Sequence, residues 1–275
     1  MICIIDGCNN KAIGSKCGLC NKHYLQKKRG CRPRSEDLVP LNAFEDYTEL
    51  MAYSLGLLYS DGFILKAYQE GRQRQLGLKM NDEDAVRFVA EYLNVQDRVK
   101  YNKRKNGTKS EFWEFRISSD RLVSKVEKLG LTMTKSFNQL VPKIPQSLMR
   151  HFIRGLIDGD GSLSNDTHQV SIIAFGDLAW YLHYFLRNLG FENTINLNKQ
   201  CAKINLYGIK VYASCDNSLN FLNYLYKDSN YYMNRKYQQY LFIKNNPKQI
   251  YNTKIRGRIQ ECSDIYNPLV DDDIV

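Results

Sequence analysis

Two short stretches of the chain are near copies of each other: residues 54–64 read SLGLLYSDGFI, and residues 153–163 read IRGLIDGDGSL. Four identical residues recur at one common offset, namely Gly56 and Gly155, Leu57 and Leu156, Asp61 and Asp160, and Gly62 and Gly161. Each stretch ends an apolar segment with helical character. A repeat of this kind indicates an internally duplicated fold.

The pattern around the two stretches is duplicated as well. A capping box, Asp46-x-x-Glu49, is predicted to open the first helix, and the second begins just after Pro145. Gly62 and Gly161 are expected to end these helices in the left-handed conformation. In the first copy we predict strands at 63–68, 76–80, 95–102 and 112–117, with helices at 82–93 and from 119. In the second we predict strands at 170–175, 194–197 and 210–214, with helices at 177–189 and from about 216. The fold class is therefore α+β, with two pseudo-symmetric α-β-β-α-β-β-α half-domains.

Small residues line one face of each motif helix. Gly56 and Ser60 lie four residues apart, and the second helix has glycines at the matching positions, so each pair shares a helical face. If these faces meet, the helix ends bring Asp61 and Asp160 together. Two carboxylates repel each other and the negative helix ends, and a divalent cation with oxygen ligands, typically magnesium, relieves both effects. In a basic protein this arrangement indicates metal-dependent phosphodiester hydrolysis.

The paired stretches resemble the two motifs of single-chain LAGLIDADG homing endonucleases. The likeness covers about residues 46–245, is closest at residues 151–161, and includes a final helix around residues 234–236. It implies that the motif helices form the interface of the half-domains and that each sheet is a saddle along the DNA major groove. It also implies a set of catalytic and magnesium-binding residues: Asp61 and Asp160, the carbonyls of Ser60 and Gly159, and the supporting Lys135 and Lys236.

The first motif departs from the family pattern at one position. Tyr59 stands where the second copy has Asp158. The resemblance does not assign metal binding to that position, so we expect activity to survive the change. The difference allows two unequal half-sites and preferential nicking of one strand.

Cysteines cluster at the N-terminus. Cys3-x4-Cys8-x11-Cys20-x2-His23 supplies four ligands suited to tetrahedral zinc, and Cys17 is an alternative third ligand. About 30 residues bury too little apolar surface to fold alone, so a metal would supply the missing stabilisation. The segment 17–24 resembles the small zinc-binding head of phage-borne homing endonucleases. That resemblance favours Cys3, Cys8, Cys20 and His23 and leaves Cys17 and Cys31 spare.

Charge and composition restrict the partners. The 275 residues include 39 Lys and Arg against 29 Asp and Glu, a net charge of +10, which favours a nucleic-acid partner. Residues 1–34 hold eight basic side chains against Asp6 alone. No apolar run reaches 18 residues and no secretory signal is visible, so we expect a cytoplasmic monomer with no membrane partner.

Strand residues that alternate in facing supply the expected DNA contacts. Arg and Gln side chains in such positions can read base edges bidentately. The candidates are Lys66, Arg72, Arg74, Lys79 and Arg116 in the first half and Lys199, Lys203 and Lys210 in the second.

The sequence divides into five expected parts. These are a zinc-binding, DNA-contacting head at 1–35, a linker at 36–45, repeats at 46–140 and 141–245, and a tail at 246–275. We predict a magnesium-dependent, site-specific homing DNA endonuclease of a mobile element, as in phage intron homing. Two alternatives share the fold: a catalytically silent DNA-binding regulator, against which the retained carboxylates argue, and an intron RNA maturase using the same basic saddle.

Overall fold

The computed structural model describes residues 2–5, 7–13, 18–28, 35–67, 69–70, 72–103, 111–134, 139–198, 205–211 and 215–246. Within these ranges the predicted duplication is confirmed. Each of two consecutive units contains a motif helix, two strands, a helix, two strands and a further helix. The α+β class and the α-β-β-α-β-β-α order therefore hold for both halves.

The helices and strands have the following bounds. The head and first half contain α1 (Asn21–Lys28), α2 (Ser35–Leu38), α3 (Glu49–Ser60), β1 (Gly62–Leu65), β2 (Gln75–Met80), α4 (Glu83–Tyr92), β3 (Lys100–Lys103), β4 (Glu111–Ser118) and α5 (Asp120–Lys128). The second half contains α6 (Met149–Asp160), β5 (Ser162–Leu163), β6 (Val170–Phe175), α7 (Gly176–Asn188), β7 (Asn193–Leu197), β8 (Leu206–Val211), α8 (Cys215–Tyr226) and α9 (Asn234–Asn245). Single 3-10 turns at Gln96–Arg98 and Gln146–Leu148 precede β3 and α6.

Each half contains one four-stranded antiparallel sheet, and the strand orders match. The first sheet runs β1-β2-β4-β3 and the second β5-β6-β8-β7. Alternation along β2 buries Leu76 and Leu78 against the helices and exposes Lys79 on the opposite face. Several strand boundaries were predicted wrongly: β1 ends at Leu65 rather than at residue 68, β3 begins at Lys100 rather than at residue 95, and β8 begins at Leu206 rather than at residue 210. The short strand β5 was not among the predicted strands.

The ends of the motif helices differ from the sequence expectation in two ways. The N-cap of α3 is Thr48, whose hydroxyl accepts the Met51 N–H at 3.1 Å, and Asp46 lies outside the helix. Gly62 and Gly161 are not in the left-handed region, since Gly161 has φ −77°. Close approach requires these glycines instead: a Cβ on Gly62 would lie 2.5 Å from the Leu58 carbonyl oxygen. The chain thus folds tightly back over the last turn of each helix.

The core lies around the two motif helices. In α3 every side chain from residue 51 to residue 59 is buried, because its neighbours are α6 on one side and the first sheet on another. The apolar sides of α4 and α5 cover the first sheet, and α7 and α8 cover the second. One continuous hydrophobic core therefore joins both halves.

Residues 36–45, predicted as a linker, pack onto the first half. Val39 and Phe44 belong to the core, and the Phe44 N–H donates to the Tyr92 hydroxyl at 2.7 Å. From α5, the Arg121 guanidinium donates to four carbonyl oxygens of this segment, at 3.0–3.4 Å. The acceptors are the carbonyls of Glu36, Val39, Pro40 and Leu41.

The last described helix, α9, closes back onto the first half. The Arg235 guanidinium makes a two-pronged ion pair with Asp82 at 3.0 and 3.1 Å. The neighbouring Asn234 N–H donates to the Asp84 carboxylate at 2.7 Å, which satisfies a free amide at the start of α9. None of the described helices has the length and apolar character needed to cross a bilayer.

Candidate active site and metal centre

The two motif helices touch through their backbones. A Cβ on Gly56 would overlap the Phe152 carbonyl oxygen and lie 3.0 Å from the Gly155 Cα. A Cβ on Gly155 would in turn overlap the Tyr53 carbonyl oxygen and lie 3.1 Å from the Gly56 Cα. The predicted close approach of the two glycine faces is confirmed. No larger side chain fits at either position without displacing a backbone.

This crossing brings the ends of α3 and α6 together. Gly159 packs against Ser60, and a Cβ added to Gly159 would lie 2.8 Å from the Asp61 Oδ2 atom. Asp160 directly follows Gly159, so the helix end that carries Asp160 meets the helix end that carries Asp61. Both carboxylates are partly exposed, as are Ser60 and Gly159. Carboxylate, hydroxyl and carbonyl oxygens of this kind are the ligands that magnesium prefers.

Lys236, predicted as a supporting basic residue, lies next to this centre. Its ammonium donates a hydrogen bond to the carbonyl oxygen of Gly161, the residue after Asp160. Burial lowers the pKa of Lys236, and Asp160 is among the carboxylates that act in the opposite direction. A buried cation is thereby held close to the second acid. Its predicted counterpart, Lys135, lies outside the described residues, so this pair stays a prediction.

The position at which the motifs differ is filled in complementary ways. Asp158 is fully buried and accepts hydrogen bonds from the Tyr53 hydroxyl at 2.8 Å, the Tyr226 hydroxyl at 2.6 Å and the Met233 N–H at 2.8 Å. Burial raises the pKa of Asp158 to about 6 despite these three donors. In the first half, Tyr59 instead packs edge-on against Phe152, with ring centroids 5.0 Å apart. Both side chains fill the helix interface, and neither belongs to the group of acids at its end.

Sequence reasoning missed Gln139, a buried amide beside the centre. Its Nε2 donates to the Tyr59 carbonyl at 3.0 Å, and its Oε1 accepts the Phe175 N–H at 2.9 Å. Gln139 therefore ties the last turn of α3 to the start of α7 in the other half. Gln139 lies outside the two repeated stretches, and no motif or spacing in the sequence marks it as a functional residue.

The outer face of the first sheet is charged. Lys79 and Arg116 are exposed there, with the Lys79 ammonium 4.0 Å from the centre of the Phe112 ring and Arg116 hydrogen-bonded to Glu114 at 3.1 Å. Lys66 and Arg72 are exposed in the loop between β1 and β2. Arg74 differs, because Asp120, Ser124 and Glu127 of α5 hold its guanidinium at 2.8–2.9 Å. That network occupies Arg74 within the chain and leaves it poorly placed to read bases.

The outer face of the second sheet is nearly neutral. Lys210 is exposed on β8, opposite Ser171 and Thr194, and is the one charged residue in the four described strands of this sheet. The first sheet carries six: Lys79, Lys100, Lys103, Glu111, Glu114 and Arg116. Lys199 and Lys203, the other second-half candidates, lie outside the described residues. The two halves thus present chemically different surfaces.

The four predicted zinc ligands converge in the head. The ligand atoms of Cys3, Cys8, Cys20 and His23 all lie within 4.8 Å of one another. The His23 Nδ1 atom is 3.2 Å from the Cys3 Sγ and 3.4 Å from the Cys20 Sγ. Zinc with sulfur at about 2.3 Å and nitrogen at about 2.0 Å separates its ligand atoms by roughly 3.3–3.8 Å, so the donor set fits the ion. Cys17 and Cys31 lie outside the described residues.

The local backbone prepares this cluster for a cation. Cys20 immediately precedes α1, where free amides point outward. The His23 N–H donates to the Cys20 sulfur and lowers the pKa of that thiol, which favours the thiolate that zinc requires.

Sequence reasoning also missed Asp37, whose carboxylate lies beside the His23 ring. One Asp37 carboxylate oxygen lies 3.5 Å from the His23 Nε2 atom, and the other lies 3.9 Å from the Lys22 ammonium. A carboxylate behind a metal-ligating histidine fixes its ring orientation and strengthens it as a ligand. Nothing in the spacing of Asp37 separates it from an ordinary surface acid, because the contact depends on how α2 packs.

Comparisons with known proteins found similarity at the level of structure. The chain is similar to mesophilic variants of the homing endonuclease I-DmoI, with a TM-score of 0.47 and 21% identity over 66% of this chain and 97% of that one. It is similar to the LAGLIDADG meganuclease I-AabMI bound to uncleaved DNA, with a TM-score of 0.45 and 10% identity over 70% and 88% of the two chains. It is also similar to full-length DUF199/WhiA from Thermatoga maritima, with a TM-score of 0.44 and 16% identity over 81% and 69%.

The sequence matches no protein-family model and no curated protein. The predicted resemblance to LAGLIDADG proteins is confirmed as a likeness to solved structures. Identities this low concern the fold alone.

Proposed function

We propose that this protein is a divalent-metal-dependent DNA endonuclease of the homing type. One observation carries the proposal: two acids end two helices whose backbones are in contact, and each helix leads into the first strand of its own sheet. Packing that depends on glycine holds the carboxylates together although they repel. Carboxylate, hydroxyl and carbonyl oxygens gathered at two meeting helix ends suit a divalent cation, which supports a metal-binding role.

In this proposal each group has a distinct task. Asp61 and Asp160 hold magnesium, with oxygens of Ser60 and Gly159 nearby. When bound, magnesium supplies an activated water and stabilises the leaving oxygen of the phosphodiester. Lys236 remains anchored on the Gly161 carbonyl and balances negative charge beside Asp160. The two sheets hold the duplex, and exposed cations on their outer faces contact phosphates and bases.

The proposal is tested by substituting each acid separately. Asp61→Asn and Asp160→Asn retain side-chain size but weaken metal binding, so we expect at least a hundredfold loss of cleavage of at least one strand with DNA binding retained. Asp166→Asn, at an exposed position in the turn after β5, is the matched control. The target is first obtained by incubating the protein with a randomised duplex library and magnesium, then sequencing the cut ends.

Two outcomes contradict the proposal. Unchanged cutting by both active-site variants would show that the acids do not hold the catalytic metal. Specific enrichment of one duplex without any cut ends, in magnesium or manganese, would favour the DNA-binding regulator.

A further inference from the structure

The head is attached at one particular end of the first sheet. Strand β1 begins at Gly62, beside Asp61, and ends at Leu65. The antiparallel register pairs Leu65 with Gln75, and Gln75 with Ser118. These three residues therefore mark the end of the sheet that lies farthest from the paired acids.

A chain of contacts leads from that end to the zinc cluster. Gln73, two residues before β2 begins, donates from Nε2 to the Glu36 carboxylate of α2 at 2.5 Å. The next residue, Asp37, contacts the ring of the zinc ligand His23. The head meets the same segment a second time, because a Cβ on Gly7 would lie 2.9 Å from the Leu41 Cδ2 atom.

The corresponding end of the second sheet is closed by its own half. It contains Val170, which pairs with Val211 of β8, and Asn193 of β7. The Asn193 side chain bonds the His183 ring of α7 at 2.6 Å. The adjoining turn is closed by a hydrogen bond from the Ser164 N–H to the Gln169 carbonyl at 3.0 Å. The docked head is therefore a feature that breaks the symmetry of the two halves.

We infer that the head lengthens the DNA footprint on one side only, beyond the outer end of the half-site covered by the first sheet. This inference rests on the proposed function. Six residues of β2 span about 20 Å, which corresponds to roughly six base pairs at about 3.4 Å each. The head lies past that distance, and residues 1–34 carry eight basic side chains against one acid. Its partner is the phosphate backbone flanking the site, which it binds without reading sequence.

Zinc occupancy controls this extension. Because Asp37 touches His23 and its neighbour Glu36 bonds the end of the sheet, the same short segment supports both the metal ligand and the docking surface. A head without zinc loses the ion that joins its four ligands, and among its described residues only a small apolar cluster around Cys3, Leu19 and Cys20 is left to hold it together. The body of the protein keeps its own core.

The test measures binding of the full chain to its target, without added magnesium or chelator, while the duplex is shortened one base pair at a time from either end. We expect affinity to fall at least tenfold when base pairs more than about six from the centre are removed on one side, and to change little on the other. Lys79→Ala and Lys210→Ala identify the sides, since each is expected to weaken hydroxyl-radical protection of the DNA backbone beneath its own sheet.

Two variants connect the extension to the head. Cys20→Ala is expected to abolish the difference between the sides. The plot of the logarithm of the association constant against the logarithm of salt concentration should also become less steep by two or three, about one for each lost phosphate contact. Lys11→Gln combined with Lys22→Gln, both at exposed positions, leaves the zinc ligands intact. This double variant is expected to make the salt dependence of binding less steep by about two.

The outcomes separate the inference from the proposed function. Equal sensitivity at both ends, or an extension on the Lys210 side, would overturn the inference and leave the nuclease proposal standing. Failure of the intact protein to bind any duplex would overturn both.

Discussion

Asp158 and Tyr59 show how a duplicated position can diverge without loss of packing. In one half a carboxylate accepts hydrogen bonds from Tyr53 and two further donors, and in the other a phenol ring packs on Phe152. Tyr53 and Phe152 are themselves equivalent positions of the repeat. The two halves have therefore exchanged a polar pair for an aromatic pair across the same helix interface. The acids that end the helices are untouched by this exchange.

Asp158 is expected to make the stability of the protein depend on pH. Burial raises its pKa from 3.8 to about 6, so the folded protein keeps a proton that the unfolded chain has already lost. The free energy of unfolding should therefore fall as pH rises from about 4 to about 6, and this contribution should be constant above that range. At about 1.4 kcal/mol per pKa unit the change is roughly 3 kcal/mol.

The variant Asp158→Asn tests this contribution. Denaturant unfolding of both proteins is measured between pH 4 and pH 7. As pH rises, the free energy of unfolding of the variant should increase by about 3 kcal/mol relative to that of the natural protein. A difference that is independent of pH would contradict the prediction. Asp166→Asn, which changes an exposed acid of the same half, should show none of this dependence.

Asp37 is expected to strengthen zinc retention without binding zinc itself. In Asp37→Asn the negative charge behind His23 is lost while the shape is kept, so zinc affinity should fall by about 10- to 100-fold. Competition with a chromogenic chelator measures this directly. Glu36→Gln, at the neighbouring position, is the control and should retain zinc normally; equal loss in both variants would indicate general loosening of α2.

At the scale of elements, one helix pair positions the candidate site. Gly56 and Gly155 allow α3 and α6 to touch through their backbones, and Gly159 lets the helix ends meet. The approach of the two helix ends is thus set by glycines one or five residues away from the acids. Close packing of this kind tolerates added atoms poorly, because both contacting groups are backbone.

Gly155→Ala is expected to destabilise the protein by about 3 kcal/mol, since its methyl group would overlap the Tyr53 carbonyl oxygen. Chemical denaturation at fixed pH measures the change. Gly208→Ala is the matched control, because a Cβ there meets no atom within 4 Å. Equal stability of the two variants would mean that the helices can separate without cost.

At the scale of the whole molecule, the duplication is symmetric in topology and asymmetric in surface chemistry. The strand orders match, yet charges are concentrated on the first sheet, and the head docks on that half. Binding energy from phosphate neutralisation should therefore be unevenly distributed along the DNA. The second sheet, with exposed Ile173 beside small polar residues, is better suited to apolar and hydrogen-bonding contacts with bases.

This unevenness predicts a difference in salt dependence. Replacing Lys79 and Arg116 together by glutamine should reduce the slope of log K against log salt by about two, whereas Lys210→Gln should reduce it by about one. Titrations of target DNA between 50 and 300 mM salt measure both slopes. Identical slopes in the natural protein and the double variant would show that the first sheet does not contact phosphates.

Much of the candidate site could be predicted from the sequence because its determinants are local. The repeated Gly-Leu and Asp-Gly pairs specify two helices of equal length with small residues on one face, and the spacing of Cys3, Cys8, Cys20 and His23 specifies a metal-ligand set. The zinc ligands lie within a short segment of the chain, and the motif residues recur at one constant offset. Their physical meaning does not depend on which other segment packs nearby.

Other features depend on contacts between segments that are distant in the sequence, and these follow from three-dimensional packing. Asp37 lies beside His23 because α2 docks on the first half, and Arg121 of α5 binds four carbonyl oxygens between residues 36 and 41. Gly62 and Gly161 serve close approach rather than positive φ, since the chain folds back over each helix end. Periodicity and spacing report which face of an element is apolar, whereas the partner of a single polar side chain is set by three-dimensional packing.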